Sequence, residues 1–204
     1  LGKHRTAIFL ASEDDTDLGA VGTSPGATAA GRDFTVLRWQ REDTGAGNRQ
    51  AIGWLGTIVQ HPDRRAITQD IDVHWDSVDS KWNLDGELMH SSIEGTDGVG
   101  FAATAKYVPR PGDLYLLNTW GYDNRIDLND LGFLNRNDNV GLFFEFWRRR
   151  QNFERIRDTN GFVDILGELN GNGKVIGAFV TAQQGMTFNN NVNVFGNISY
   201  RPSM

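Results

Sequence analysis

Alternation with a period of two dominates the chain. Near the C-terminus, Met186, Phe188, Val192, Val194, Ile198 and Tyr200 fall on one parity. Thr187, Asn189, Asn191, Asn193, Asn197 and Ser199 fall on the other, with Asn190 and Phe195 as the main exceptions. Successive side chains of a strand point to opposite faces, so this repeat predicts one unusually long strand with an apolar and a polar face. The pattern recurs at 67–76, where Ile67, Ile71, Val73 and Trp75 oppose Asp70, Asp72, His74 and Asp76. At 82–89, Trp82, Leu84 and Leu88 oppose Asn83, Asp85 and Glu87; at 140–149, Val140, Leu142, Phe144 and Phe146 oppose Glu145 and Arg149. Asp79-Ser80 lies between two of these runs as a hairpin turn.

Weaker alternation predicts further strands at 5–12, 34–42, 49–60, 101–109, 114–122, 152–170 (with a bend near Asn160-Gly161) and 174–184. The sum is ten or eleven strands and no helix, in a single domain over 1–204. Connections read as alternating between short ones, at 61–65, 79–80, 110–113 and 170–173, and long ones at 13–32 and 123–139. Short turns at one rim and longer loops at the other characterise membrane barrels.

Strands of about ten residues, tilted, cross a bilayer's hydrocarbon layer. Aromatic residues cluster near the expected strand ends: Trp39, Trp54, Trp75, Trp82, Tyr107, Trp120, Tyr122, Trp147 and Tyr200. Rings placed there would form the interfacial girdles of a barrel. Together these features predict an antiparallel up-and-down transmembrane β-barrel or a segment of one. The alternative is a soluble β-sandwich or jelly roll that packs the same aromatics inside or binds carbohydrate through them.

Composition narrows the classes. With 23% charged and 39% hydrophobic residues, neither a disordered chain nor a helical membrane protein fits. The mean hydropathy of −0.44 is compatible with a barrel, whose strands average out as mildly hydrophilic. A net charge of −6 disfavours nucleic acid as a partner, and the basic run Arg148, Arg149 and Arg150 is too short to change that. The absence of cysteine removes thiol and disulfide chemistry. The chain opens on Leu1 without a charged segment followed by an apolar one, so the expectation is a chain that begins inside a longer protein.

The stretches at 34–42 (FTVLRWQRE), 51–60, 70–75 and 82–91, followed by LGFLNRND at 131–138, carry a family likeness. In this order they resemble the C-terminal barrel domain of a widespread family of bacterial outer-membrane proteins of unassigned function. Longer members of that family carry, before the barrel, a periplasmic sandwich similar to family-nine carbohydrate-binding modules. The resemblance covers 2–202, and Gly132, Phe133, Arg136 and Asp138 are its most specific residues. It implies residence in the bacterial outer membrane, lipid as a partner, and other segments or chains that complete the barrel. A glycan ligand would belong to the binding-module region, which these residues lack. The terminal aromatic common in bacterial barrels is also missing, since the chain ends Tyr200-Arg-Pro-Ser-Met204.

Candidate chemistry is sparse. Asp70, Asp72, His74 and Asp76 recur along one strand face about 7 Å apart, a spacing from which side chains could converge on a divalent cation. The plainer expectation is a polar lumen wall of Asp70, Asp72, His74, Asp85, Glu87, Glu145 and Arg149, paired across strands; Arg38, Arg41, Arg49 and Arg155 would add to its electrostatics. The acidic stretches 13–17 and 123–130 do not follow the spacing of an EF-hand loop. The glycines at 95–100 precede no helix and so make no phosphate loop. His4, His61 and His90 are isolated, and no nucleophile elbow is present. The sequence therefore predicts no catalysis and no cofactor.

Overall fold

The computed structural model describes residues 4–13, 32–45, 48–61, 64–128, 134 and 136–203, the side chains of 4, 5, 11–13 and 32 excepted. They form one antiparallel sheet of eleven strands in chain order. The strands are β1 (His4–Glu13), β2 (Arg32–Asp43), β3 (Arg49–Gln60), β4 (Arg65–Asp76), β5 (Trp82–Ile93) and β6 (Thr96–Tyr107). They continue with β7 (Asp113–Tyr122), β8 (Asn139–Gln151), β9 (Ile156–Asn170), β10 (Val175–Phe188) and β11 (Asn193–Tyr200). No helix occurs among the described residues. No ladder joins β1 to β11, so the sheet is open.

Local chemistry sets the turns. Glu94 and Gly95 link β5 to β6 with φ of 51° and 79°, the two left-handed positions of a tight hairpin. In the β4–β5 turn, Asp79 Oδ1 accepts from Ser77 Oγ (2.7 Å) and from the Lys81 N–H (3.2 Å), and Asp79 Oδ2 pairs with Lys81 Nζ at 3.0 Å. The Ser77 hydroxyl in turn accepts from the Trp82 N–H at 2.9 Å.

The connections 44–48, 77–81, 108–112, 152–155 and 189–192 share one end of the sheet. The opposite end carries 61–64, 94–95 and 171–174 together with both long connections, 14–31 and 123–138. Strict alternation in length is thus corrected, but the two long connections do lie at one end. Residues 14–17 of the first acidic stretch, and Gly132 and Phe133, lie outside the described residues.

Two predicted strands change. The expected strand running from Met186 to Tyr200 is a hairpin, broken at 189–192, with Met186 opposite Val194 and Ala182 opposite Ile198. The last opposed pair, Thr187 and Asn193, stand an even number of positions apart, so side-chain parity carries across the turn and the alternation passes through it unbroken. The expected strand at 152–170 starts only at Ile156, after a turn in which Asn152 has φ of 65°, and Asn160 and Gly161 pair normally with Arg149 and Arg148.

Register sorts the side chains into two faces. One carries Ile8, Leu37, Trp54, Ile71, Leu88, Phe101, Leu117, Leu142, Ile165, Val180 and Ile198 from β1 to β11 in turn. Nothing covers it. Of the large hydrophobic strand residues that are exposed, all but Phe9 and Phe195 belong to this face. Only Val59, Ala66, Met89 and Ile126 are buried hydrophobic residues among those described. A sheet with one apolar face normally hides it against a second layer; the described residues supply none.

Candidate functional site

The polar face has two halves. On β2 to β5 it is charged. Arg38 pairs with Asp72 across Gly53, whose missing side chain leaves the space that both head groups occupy. His74 lies between two carboxylates, with Nδ1 2.6 Å from Asp85 and Nε2 2.9 Å from Asp76; Asp76 also accepts from Asn83 Nδ2 at 2.9 Å. Asp70 and Glu87 share this face, and with Asp72, His74 and Asp85 they line a shallow cleft of about 340 Å³. Glu145 stands opposite Asp164, and Arg149 donates through Nε to Asp158 at 2.8 Å. The seven residues expected on a polar wall therefore do lie on one face.

They do not converge on a metal. Among the described residues no group of three His, Asp or Glu side chains is arranged to hold one. Asp72, His74 and Asp76 are each turned to a partner on another strand. Cross-strand pairing consumes the ligands that alternation had placed in a row.

On β7 to β10 the same face adds aromatic rings to the charged residues of β8 and β9. Trp120 lies over Gly141, Phe143 approaches Phe179 with centroids 6.5 Å apart, and the Arg201 guanidinium sits 5.7 Å from the Phe179 ring. Trp147 stands opposite Phe162, and Tyr122 lies over Gly100. This changes the expectation for the aromatics: Trp39, Trp54, Trp75, Trp82 and Tyr200 are on the apolar face, but Trp120, Tyr122 and Trp147 are on the polar one. Parity decides it, because Trp147 shares the parity of Glu145 and Arg149.

The β7–β8 connection folds back over the polar face at the long-connection end. Ile126, 1% exposed, presses its backbone against Gly98, where a Cβ would come within 2.2 Å of the Ile126 nitrogen, and its Cδ1 rests near Gly100. The Asp127 N–H donates to the buried Ser91 hydroxyl at 2.9 Å. Asp123 organises the bend by accepting from the N–H of Ile126 (2.7 Å), Arg125 (2.9 Å) and Val99 (3.1 Å). Burial alone would raise the Asp123 carboxyl, but these three backbone donors outweigh it and hold the group below its ordinary value. Asn137 Nδ2 donates to the carbonyls of Asn124 (3.1 Å) and Ile126 (3.3 Å), tying the far side of the loop to the near side. Sequence reading placed a long connection at 123–139 but missed that it folds back onto the sheet. Its signal was Gly98 and Gly100, two same-face glycines that mark a close backbone approach.

On the apolar face, directly opposed residues make a row of rings across four strands. Trp82 stacks on Tyr107 at 4.3 Å, Tyr107 lies 6.0 Å from Tyr115, and Tyr115 lies 4.7 Å from Phe146. Such pairs contribute about 0.5–1.5 kcal/mol each beyond their burial. The row lies near the short-turn end, and the Arg148 guanidinium closes it, 5.2 Å over Phe146. There Asp113, 3% exposed, accepts from Arg110 Nε (2.7 Å), Arg148 Nε (3.1 Å) and Arg150 Nη2 (2.6 Å).

Comparison with protein-family models, curated proteins and solved structures finds no match to this chain.

Proposed function

We propose that the chain is an outer-membrane β-barrel domain, or the eleven-strand portion of one, with a structural, anchoring or transport role. The observation that carries this reading is the uncovered apolar face that runs without interruption from β1 to β11. Soluble monomers rarely expose contiguous apolar patches beyond about 600 Å², whereas lipid is the natural partner of such a face. The strands, from 8 residues in β11 to 15 in β9, mostly reach the length of about 9–11 that a tilted crossing takes. Aromatic rings at the short-turn end fit an interfacial girdle, and that end would face the periplasm. The likeness of 131–138 to the barrel family points the same way.

In this reading the polar face is the lumen wall. Ion pairs line it on β2 to β5 and again on β8 and β9, aromatic rings join them on β7 to β10, and the β7–β8 loop narrows the mouth on the long-connection side. β1 and β11 run in the same direction, so an antiparallel closure would take an odd number of further strands, from more chain or from a second copy. No catalytic role is assigned to these residues. A soluble sandwich would need a second layer over the apolar face, and the described residues supply none.

The test is purification in plain buffer and in detergent micelles, with gel mobility compared before and after boiling. The expected result is folding only in micelles, with a heat-modifiable band. A compact, monodisperse monomer in buffer alone would overturn the reading.

A further inference from the structure

The apolar face is not smooth. Across β8, β9, β10 and β11, two adjacent rows of opposed residues form a groove of about 530 Å³. The row nearer the short-turn end is Arg148, Gly161, Gln184 and Gly196; the next row inward is Phe146, Val163, Ala182 and Ile198. Gly196 and Ala182 supply the depth, the Gln184 amide lies over Gly161, and Phe146 and Ile198 supply the walls. The groove is thus polar at its rim end and apolar towards mid-strand.

Charge at the rim end is unbalanced. Arg110, Arg148 and Arg150 surround one carboxylate, Asp113. Arg150 is also engaged with the carbonyls of Gly112 (3.1 Å) and Arg149 (2.7 Å). Arg110 and Arg148 remain 62% and 48% exposed, and each meets Asp113 through Nε, which leaves the outer edge of its guanidinium directed elsewhere. A planar guanidinium edge matches a phosphate.

We propose that this groove binds one anionic phospholipid, with the headgroup phosphate on Arg110 and Arg148 and an acyl chain along Phe146, Val163, Ala182 and Ile198. The inference rests on the membrane reading above and specifies a lipid site within it. The order of chemistry matches a lipid in a leaflet, with charge at the interface and hydrocarbon towards the midplane. The excess of guanidinium over carboxylate selects a net anionic headgroup over a zwitterionic one.

The experiment refolds the full chain into vesicles of phosphatidylcholine and phosphatidylglycerol in equal amounts, then extracts it into mild detergent and quantifies the retained lipid by mass spectrometry. Phosphatidylglycerol is expected to be enriched about fivefold for each guanidinium engaged. R110Q/R148Q should return the ratio to that of the vesicle, and Ala182→Trp, which fills the groove without touching the charge, should lower the total lipid retained. Arg65→Gln, on the same face at the opposite end, should change neither. A heat-modifiable wild-type protein with no enrichment, or enrichment that survives R110Q/R148Q, overturns the lipid site and leaves the barrel standing. Failure of the wild type to give a heat-modifiable band in any lipid overturns both.

Discussion

Asp79 is exposed, yet its carboxyl is held down at about 2 by hydrogen bonds from Ser77 and Lys81 and by the Lys81 charge. A carboxyl lowered from 3.8 contributes to the folded turn at every pH above that ordinary value, and the contribution is lost as the pH falls through about 2. Carbon NMR of the Asp79 carboxyl in micelles should give a midpoint near 2; a midpoint of 3.8 would show that the turn's donors do nothing for it. Parity was the most legible feature at this scale. Asp70, Asp72, His74, Asp85, Glu87, Glu145 and Arg149 could be assigned to one face from alternation alone, and the register agrees. The same rule would have put Trp147 and Trp120 on that face. Position near a strand end instead suggested a girdle, a weaker argument than parity because strand ends are blurred and parity is not. Pairing partners such as Arg38 with Asp72 were not legible, since they depend on which strand lies beside which and in what register.

The β7–β8 connection is the element whose fold the sequence hid. Its residues are polar and aperiodic, and what holds them is distant in sequence: Ser91 on β5, and Gly98 and Gly100 on β6. Gly98 is the sharpest test. A methyl group there would come within 2.2–2.4 Å of Ile126 and Arg125 backbone atoms, and backbone cannot swing aside as a side chain can. Gly98→Ala is therefore expected to lift the loop off the sheet while β6 and β7 stay paired. Amide hydrogen exchange should then quicken at Ile126 and Asp127 by about tenfold to a thousandfold, the opening expected from losing about 1.4–4 kcal/mol of local contact. Unchanged exchange at those two amides would mean that the loop does not depend on this approach. Gly100→Ala, whose nearest contacts would be the Tyr122 ring and the Ile126 side chain rather than backbone, should act in the same direction but less strongly. The C-terminal hairpin teaches a complementary lesson: a connection that preserves parity erases its own signature, and only the consecutive asparagines at 189–191 marked the turn.

At the scale of the whole molecule, everything turns on what meets the apolar face, and the tryptophans report on it. Trp39, Trp54, Trp75 and Trp82 share that face, whereas Trp120 and Trp147 belong to the other. Each can be isolated by replacing the other five with Phe. In vesicles whose acyl chains carry bromine, a quencher confined to the hydrocarbon, emission from Trp54 and Trp75 should fall strongly. Trp120, which lies across Gly141 on the polar face, should be spared. Acrylamide dissolved in the water should reverse the order if the polar face lines an aqueous lumen. A soluble sandwich predicts something different: no tryptophan would respond to brominated lipid, and Trp54 and Trp75, packed beneath a second layer, would resist acrylamide as well. Quenching of both sets by lipid would mean that the sheet lies open in the bilayer with each face against hydrocarbon. The charges of Arg38, Asp70, Asp72, Asp85 and Glu87 forbid that arrangement, because an ionised side chain at mid-bilayer costs about 2.5–3.5 kcal/mol even by the mildest scale. If the apolar face meets lipid, as proposed, these five groups on β2, β4 and β5 would have to face water, which a sheet curved round them and closed by further strands between β1 and β11 would provide.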